Sequence, residues 1–248
     1  MQICREMKPV LTLVLGILFS VAIHAETYVV CVGIGNYAAP KVKNLTKTEA
    51  DAKAMAEFFK KGTQNVMTIT GKYATKSQIL KSLNSQFSRA TTDDKIIFFF
   101  SGHGYPGGFC PYDMTKIEEG LKYSDVISIM QKSKAKNKFI FADACHSGAI
   151  RQNDSNTEPK AGNVLLFLSS RGNEYSAESP FLANGYFTKH LLRGLGGGAD
   201  VNKDKRITAK ELFNYVSDGV KSQTNDRQHP VMWGKFDDDL TIVEYRKK

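Results

Sequence analysis

Continuous apolar runs alternate along the chain with segments in which apolar residues recur every three or four positions. The continuous runs, such as YVVCVGI over residues 28–34 and KIIFFFS over residues 95–101, are rich in β-branched and aromatic residues. Such runs are typical of strands buried on both faces, whereas the recurring spacing is typical of amphipathic helices. Strands that alternate with helices predict one domain of the α/β class, with a mostly parallel sheet covered on both faces. The predicted strands span residues 28–34, 66–70, 95–101, 138–143 and 164–169, and the predicted helices span residues 48–60, 75–87, 123–130, 185–195 and 208–220.

The composition is that of an ordinary globular protein. The chain has 248 residues, of which 42% are hydrophobic and 24% charged, so it can bury a substantial core and is neither disordered nor collagen-like. Four cysteines are too few for a disulfide scaffold of this size. The net charge of +9 raises nucleic acid as a partner, but the basic residues are scattered and form no run or patch interleaved with aromatic residues. We therefore expect no nucleic acid partner.

The first 25 residues predict a signal peptide. Arg5 and Lys8 precede an apolar run over residues 10–23, which has the length of a signal-peptide core and is short for a membrane span. The small residues Ala25 and Ala22 are the two candidate cleavage points. We therefore expect a secreted or periplasmic protein that has no stable membrane anchor after cleavage. A single retained anchor is the alternative.

Two reactive side chains follow two of the predicted buried strands. Cys145 comes just after the strand over residues 138–143, and His103 just after the strand over residues 95–101. In folds of this class, ligands bind beyond the carboxyl ends of the strands. A histidine can deprotonate a thiol and later protonate a leaving amine, so we expect a cysteine nucleophile and a histidine base. The backbone N–H groups of Gly104 and Cys145 are the candidates for holding an oxyanion. A core cysteine and a turn histidine are the structural alternative.

The segments around these two residues resemble those of a known family. SGHG over residues 101–104 and DACHSG over residues 143–148 are similar to the corresponding segments of metacaspases and their bacterial relatives among the caspase-like cysteine peptidases. Animal caspases carry glutamine where Asp143 stands, so the metacaspase branch fits better. The likeness runs through most of the mature chain, with supporting segments GIGNY over residues 33–37, ADAKAM over 50–55, GYFTKHL over 185–191 and QHP over 228–230.

The resemblance implies a caspase-like α/β/α sandwich with a roughly six-stranded sheet, in which Cys145 is the nucleophile and His103 its partner. It also implies an acidic S1 pocket, which holds the residue before the scissile bond (P1), formed by Asp143, Ser101 and Asp51. Residues two apart on an extended chain share a side, which places Asp143 with Cys145 and Ser101 with His103. Carboxylates in the pocket favour Arg or Lys at P1. For Asp51, complementing the dipole of its own helix is the alternative role.

A polar loop follows the nucleophile. In the family this region is often cut during maturation, and Arg151 and Lys160 match the predicted P1 preference. Self-cleavage in this loop is therefore one hypothesis, and an uncut surface loop is the other. The predicted layout is a signal peptide (1–25) and a single peptidase domain (26–248), divided into a large-subunit-like part (26–150), the loop (151–162) and a small-subunit-like part (163–248).

A later segment has the spacing of a calcium-binding loop. Its residues fall at positions 1, 3, 5, 7, 9 and 12 of the EF-hand pattern, but Lys205 stands where that pattern needs glycine. Residues 105–122 lack the aspartate-rich stretch by which many metacaspases bind activating calcium. We favour the alternative that Thr208 and Glu211 form a capping box for the following helix, and we expect no required cofactor. The six positions hold Asp200, Asn202, Asp204, Arg206 (through its carbonyl), Thr208 and Glu211.

These features together predict a secreted, monomeric cysteine endopeptidase that cleaves peptides and proteins after Arg or Lys through an acyl-enzyme. One alternative is a catalytically silent caspase-like module that binds peptides, and the intact Cys145 and His103 count against it. The other is a legumain-like peptidase that cuts after Asn, and Asp143 counts against it.

Overall fold

Six strands form the central sheet, in the spatial order β10-β8-β7-β3-β1-β2. Five of these six strands are parallel to one another, and only the edge strand β10 pairs in the antiparallel direction, with β8. The structure is a computed structural model and describes residues 25–144, 163–171, 184–234, 237 and 239–245. The prediction of a mostly parallel, roughly six-stranded sheet is confirmed. The strands are β1 (Thr27–Gly33), β2 (Val66–Thr70), β3 (Lys95–Gly102), β7 (Asn137–Ala144), β8 (Val164–Leu168) and β10 (Val231–Trp233).

Helices cover both faces of the sheet, because side chains of the buried strands alternate between two apolar cores. Phe98 and Phe100 of β3 join the core under α2 and α3, whereas Ile97 and Phe99 join the core under α1, α4 and α5. The predicted α/β/α sandwich is therefore confirmed. The helices are α1 (Thr48–Lys60), α2 (Lys76–Phe87), α3 (Tyr123–Lys132), α4 (Tyr186–Arg193) and α5 (Ala209–Gln223).

The hydrophobic pattern of the sequence does not predict several short elements of the structure. The edge strand β10 has three residues, too few for a periodicity to show. The pattern likewise does not predict a small three-stranded sheet or the antiparallel pairing of β9 with β11. The helix predicted over residues 185–195 is shorter in the structure: α4 ends at Arg193 and is followed by a π-helical turn over Gly194–Gly198. The additional strands are β4 (Gly104–Tyr105), β5 (Gly108–Phe109), β6 (Leu121–Lys122), β9 (Arg206–Thr208) and β11 (Thr241–Glu244).

The first turn of α1 lies directly against the end of β1, where only glycine fits. A Cβ added at Gly33 would overlap the carbonyl oxygen of Thr48 and lie 2.8 Å from the Cβ of Ala52. Gly33 pairs with Ser101 of β3, and Ser101 pairs in turn with Asp143 of β7. The close approach at Gly33 therefore brings α1 next to the carboxyl ends of the two central strands.

Some predictions concern residues outside the described part of the chain. These are the leader over residues 1–24, Cys145, and the loop that carries Arg151 and Lys160. Within the described part, no helix is both long and apolar enough to span a bilayer.

A buried histidine joins α4 to α5. His190 of α4 lies against Gly219 of α5, where an added Cβ would overlap the imidazole ring, and its Nε2 is 3.2 Å from Oε1 of Gln223. Burial lowers the pKa of His190, and the charges of Lys189 and Arg193 lower it further, while the contact with Gln223 opposes the shift. The folded protein therefore holds this imidazole neutral where the unfolded chain would protonate it.

We expect the free energy of unfolding to decrease as the pH falls below about 6.5, the ordinary histidine pKa. The folded pKa of His190 is lower than the unfolded one, so its contribution is complete above that pH and is lost as the unfolded state gains the proton. Urea denaturation between pH 8 and pH 5 measures this slope. The change His190→Gln should flatten the slope, because it removes the imidazole whose pKa the fold lowers. An unaltered slope in His190→Gln would contradict the assignment.

Candidate active site

His103 is fixed by contacts from three directions. Its backbone N–H donates to the hydroxyl of Tyr37 (2.7 Å), and its carbonyl accepts from the N–H of Cys110 (2.9 Å). Its ring nitrogen Nε2 lies 2.6 Å from the carbonyl oxygen of Lys43. Both the main chain and the ring of His103 are therefore held by the loop that follows β1 and by the short strands that follow β3.

The contact with Lys43 shows which ring nitrogen of a neutral His103 carries the proton. A carbonyl oxygen can only accept a hydrogen bond, so Nε2 must carry the proton and Nδ1 is left as the acceptor. Nδ1 has no hydrogen-bond partner among the described residues. A neutral imidazole with an unoccupied acceptor nitrogen is what a general base requires.

The strands that carry His103 and Cys145 run side by side. The pairing of β3 with β7 ends with Gly102 opposite Ala144. His103 and Cys145 are therefore the residues that directly follow two adjacent strands. Ala144 is held at both backbone groups, since the Ser169 hydroxyl accepts from its N–H and donates to its carbonyl, each at 3.1 Å. Cys145 itself lies outside the described residues, so the predicted dyad and the oxyanion role of its N–H stay predictions.

Ser101, Asp51 and Asp143 lie together at the same edge of the sheet. The Ser101 hydroxyl donates to Oδ2 of Asp51 at 2.9 Å, although the two residues are fifty positions apart in sequence. Asp51 is 1% exposed and Asp143 is 7% exposed. The structure therefore brings together all three residues that the resemblance assigned to the S1 pocket.

The amino-terminal end of α4 supplies hydrogen bonds to both carboxylates. Oδ1 of Asp51 accepts from the Asn184 side chain (2.8 Å) and from the N–H of Gly185 (3.1 Å). Oδ2 of Asp143 accepts from the N–H (3.2 Å) and the hydroxyl (2.8 Å) of Thr188. Backbone N–H groups at a helix amino terminus stabilise negative charge. Asp51 thus interacts with the start of α4 and also lies in the first turn of its own helix α1, so both of its predicted roles stay predictions.

A single glycine separates the two carboxylates. A Cβ added at Gly185 would lie 2.8 Å from Oδ2 of Asp143 and 3.5 Å from Oδ2 of Asp51. The two buried acids therefore lie close together beside the amino terminus of α4.

The comparison with known proteins agrees with this geometry. The model of the caspase domain family matches residues 27–241. The chain belongs to the caspase domain family. Members of this family are, in general, cysteine peptidases.

Solved structures share the fold of this caspase domain. Protein GSU0716 from Geobacter sulfurreducens has a TM-score of 0.62 and 20% sequence identity, over 84% of this chain and 92% of that one. Caspase-1 from Spodoptera frugiperda has a TM-score of 0.64 and 16% identity, over 84% of this chain and 86% of that one. These low identities show the fold alone. No curated protein gives a significant sequence match.

Several residues at this edge of the caspase domain were not identified as functional from the sequence. Tyr37 ends the GIGNY segment, and Ser169 ends the strand predicted over residues 164–169, but the sequence alone reveals neither the contact of Tyr37 with His103 nor that of Ser169 with Ala144. Thr188 had no signal beyond its place near a helix start. Lys43 contributes its carbonyl oxygen, which every residue type possesses, so no sequence pattern could have identified it.

The segment with EF-hand spacing uses its side chains to order its own backbone. Asp200 accepts from the N–H groups of Asp204 (3.1 Å) and Lys205 (3.0 Å). Thr208 and Glu211 form the favoured capping box of α5, in which the Glu211 carboxylate accepts from the N–H and hydroxyl of Thr208. Among the described residues, no three His, Cys, Asp or Glu side chains are grouped so as to hold a metal ion.

Cys31 is a core residue without a role at this edge. It lies in β1 and is fully buried, and burial strongly raises the pKa of its thiol. The thiol is therefore protonated and unreactive at neutral pH.

Proposed function

We propose that this caspase domain is a secreted, monomeric cysteine endopeptidase that cleaves peptides and proteins after Arg or Lys. The observation that carries the proposal is the position of His103. Its Nε2 is occupied by the Lys43 carbonyl, so Nδ1 is free to accept a proton, and its strand lies next to the strand that leads to Cys145. A histidine held in this way is suited to a proton acceptor beside a nucleophile.

The proposed reaction proceeds through an acyl-enzyme. Nδ1 of His103 takes the thiol proton as the Cys145 sulfur attacks the scissile carbonyl, and the N–H groups of Gly104 and Cys145 hold the oxyanion. The C–N bond then breaks, and the imidazolium gives its proton to the leaving amine. A water molecule, deprotonated by the same imidazole, releases the acyl group and restores the thiol. No metal ion takes part in these steps.

The preference for a basic P1 residue is inferred from the buried acids. Asp51 and Asp143 are held at the amino terminus of α4, and Ser101 orients Asp51. A carboxylate pair favours a guanidinium or ammonium group, and the planar guanidinium adds bidentate geometry.

The proposal predicts hydrolysis of fluorogenic peptides that end in Arg or Lys by the purified secreted chain. The changes Cys145→Ala and His103→Ala should each abolish it, while EDTA should leave it intact. Matched peptides that end in Asn and Asp identify the alternatives: cleavage after Asn alone would indicate a legumain-like peptidase. Binding of the peptides without cleavage of any of them would indicate a silent module and overturn the proposal. Activity that disappears in EDTA and returns with calcium would contradict the expectation that no cofactor is required.

The acidic pocket is tested with the change Asp143→Asn, which keeps an oxygen for the Thr188 donors and removes the charge. We expect kcat/KM for Arg peptides to fall by about 10- to 100-fold, the equivalent of one charged hydrogen bond. The control is Asp94→Asn, another buried acid, which accepts from the N–H groups of Thr91 (2.6 Å) and Glu26 (2.7 Å) at the opposite end of β3. Equal losses in the two variants would show a general effect on folding and no role in specificity.

Maturation is the remaining part of the proposal. We expect the mass of the secreted chain to place its new amino terminus after Ala25 or Ala22. Self-cleavage predicts a fragment that ends at Arg151 or Lys160 and a second that begins at Gln152 or Ala161, and both should be absent from Cys145→Ala. An intact leader in the exported fraction would indicate the retained membrane anchor instead of a cleaved signal peptide, and an uncut active chain would contradict self-cleavage.

A further inference from the structure

We propose that Tyr37 is a positioning residue for His103: its hydroxyl and its ring together hold the imidazole in the orientation and tautomer that proton transfer requires. This inference rests on the proposed function, because it concerns the same histidine. Tyr37 does not contact the reacting bond itself, so it would act through His103.

The Tyr37 hydroxyl replaces a missing rung of the sheet. The last direct hydrogen bond between β1 and β3 joins the N–H of Ile34 to the carbonyl of Ser101 at 3.0 Å. In a parallel pair the next rung would join the N–H of His103 to the carbonyl of Ile34. Here the Tyr37 hydroxyl lies between these two groups, accepting from His103 at 2.7 Å and donating to Ile34 at 3.2 Å. The insertion lets β3 separate from β1 at His103 while both backbone groups stay satisfied.

The Tyr37 ring also supports the imidazole directly. The two ring centroids are 5.1 Å apart and the planes are inclined by 40°. Tyr37 is 9% exposed, so its ring is a packed and stationary surface. Gly102 makes room for it, because a Cβ at that position would lie 3.0 Å from the Tyr37 hydroxyl. The Tyr37 ring therefore occupies one side of the imidazole and limits the rotamers that the His103 side chain can adopt.

These contacts keep the His103 ring in the orientation that its hydrogen bond with the Lys43 carbonyl requires. The 2.6 Å distance from Nε2 to the Lys43 carbonyl holds only while the ring keeps its orientation. Rotation of the ring would release Nε2 from this acceptor, and the neutral imidazole could then carry its proton on either nitrogen. A ring protonated at Nδ1 cannot accept the thiol proton there, so the loss of Tyr37 should reduce the fraction of molecules able to react.

The test compares Tyr37→Phe, which removes the hydroxyl, with Tyr37→Leu, which also removes the aromatic ring. We expect kcat to fall by roughly 10-fold in the first and roughly 100-fold in the second, within the range of general acid–base effects, while KM changes less than about twofold. A role in folding alone would lower stability while leaving kcat of the folded protein unchanged.

The matched control is Ser133→Ala. The Ser133 hydroxyl is also buried, donates to the carbonyl of Phe87 (2.8 Å) and accepts from the N–H of Ala135 (3.4 Å), but it lies at the opposite end of the sheet. We expect this variant to lose a similar amount of stability and to keep its kcat. Loss of kcat equal to that of Tyr37→Phe would overturn the inference.

A spectroscopic readout separates this inference from the proposed function. Long-range ¹H–¹⁵N spectra report the tautomer of each histidine, and the His103→Gln variant identifies the signal of His103. The wild-type chain should show the proton on Nε2, and Tyr37→Phe should show a mixture of tautomers. If the wild type cleaves no peptide while the tautomer still changes, the proposed function fails and the positioning role stands. An unchanged tautomer together with an unchanged kcat would falsify the positioning role.

Discussion

The arrangement of the carboxyl-terminal edge of the sheet depends on the hydrogen bonds of one buried carboxylate, that of Asp51. It lies in the first turn of α1 and accepts hydrogen bonds from Ser101 of β3 and from Asn184 and Gly185 before α4. One side chain thus connects three elements that are far apart in sequence. The contact exists because Gly33 lets α1 approach the end of β1 so closely. Without that approach the carboxylate would not reach Ser101.

The segment between Ile34 and Asp51 contributes both to the surroundings of His103 and to the proposed S1 pocket. Its first part contacts His103 through Tyr37 and through the Lys43 carbonyl, and its last part contributes an acid of the proposed S1 pocket. The strands provide the complementary residues, since Ser101 and Asp143 face each other in register. A loop that would ordinarily vary is therefore fixed at several points by the scaffold it connects.

The hydrophobic pattern predicts the layers and the central strands, whereas the grouping of Ser101, Asp51 and Asp143 came from the resemblance to caspase-like peptidases. Continuous apolar runs mark β1, β3 and β7 because both faces of these strands are buried, and the motifs SGHG and DACHSG mark their ends. The pattern could not reveal β10, whose three residues are placed by pairing with β8. It could not reveal the partners of His103 either, because the Lys43 contact is made by the backbone and the Tyr37 contact replaces a rung that only the register defines.

The hydrogen bonds between α4 and the two acids link the proposed S1 pocket to the architecture of the domain. Asp143 and Asp51 satisfy donors that would otherwise remain unpaired at the beginning of that helix. A relative that evolved towards neutral or acidic substrates could not simply discard these carboxylates, since the helix would lose its cap at the same step. Drift in selectivity along this lineage would therefore require a paired substitution, one in the pocket and one at positions 184–188, which should leave a trace of covariation between them.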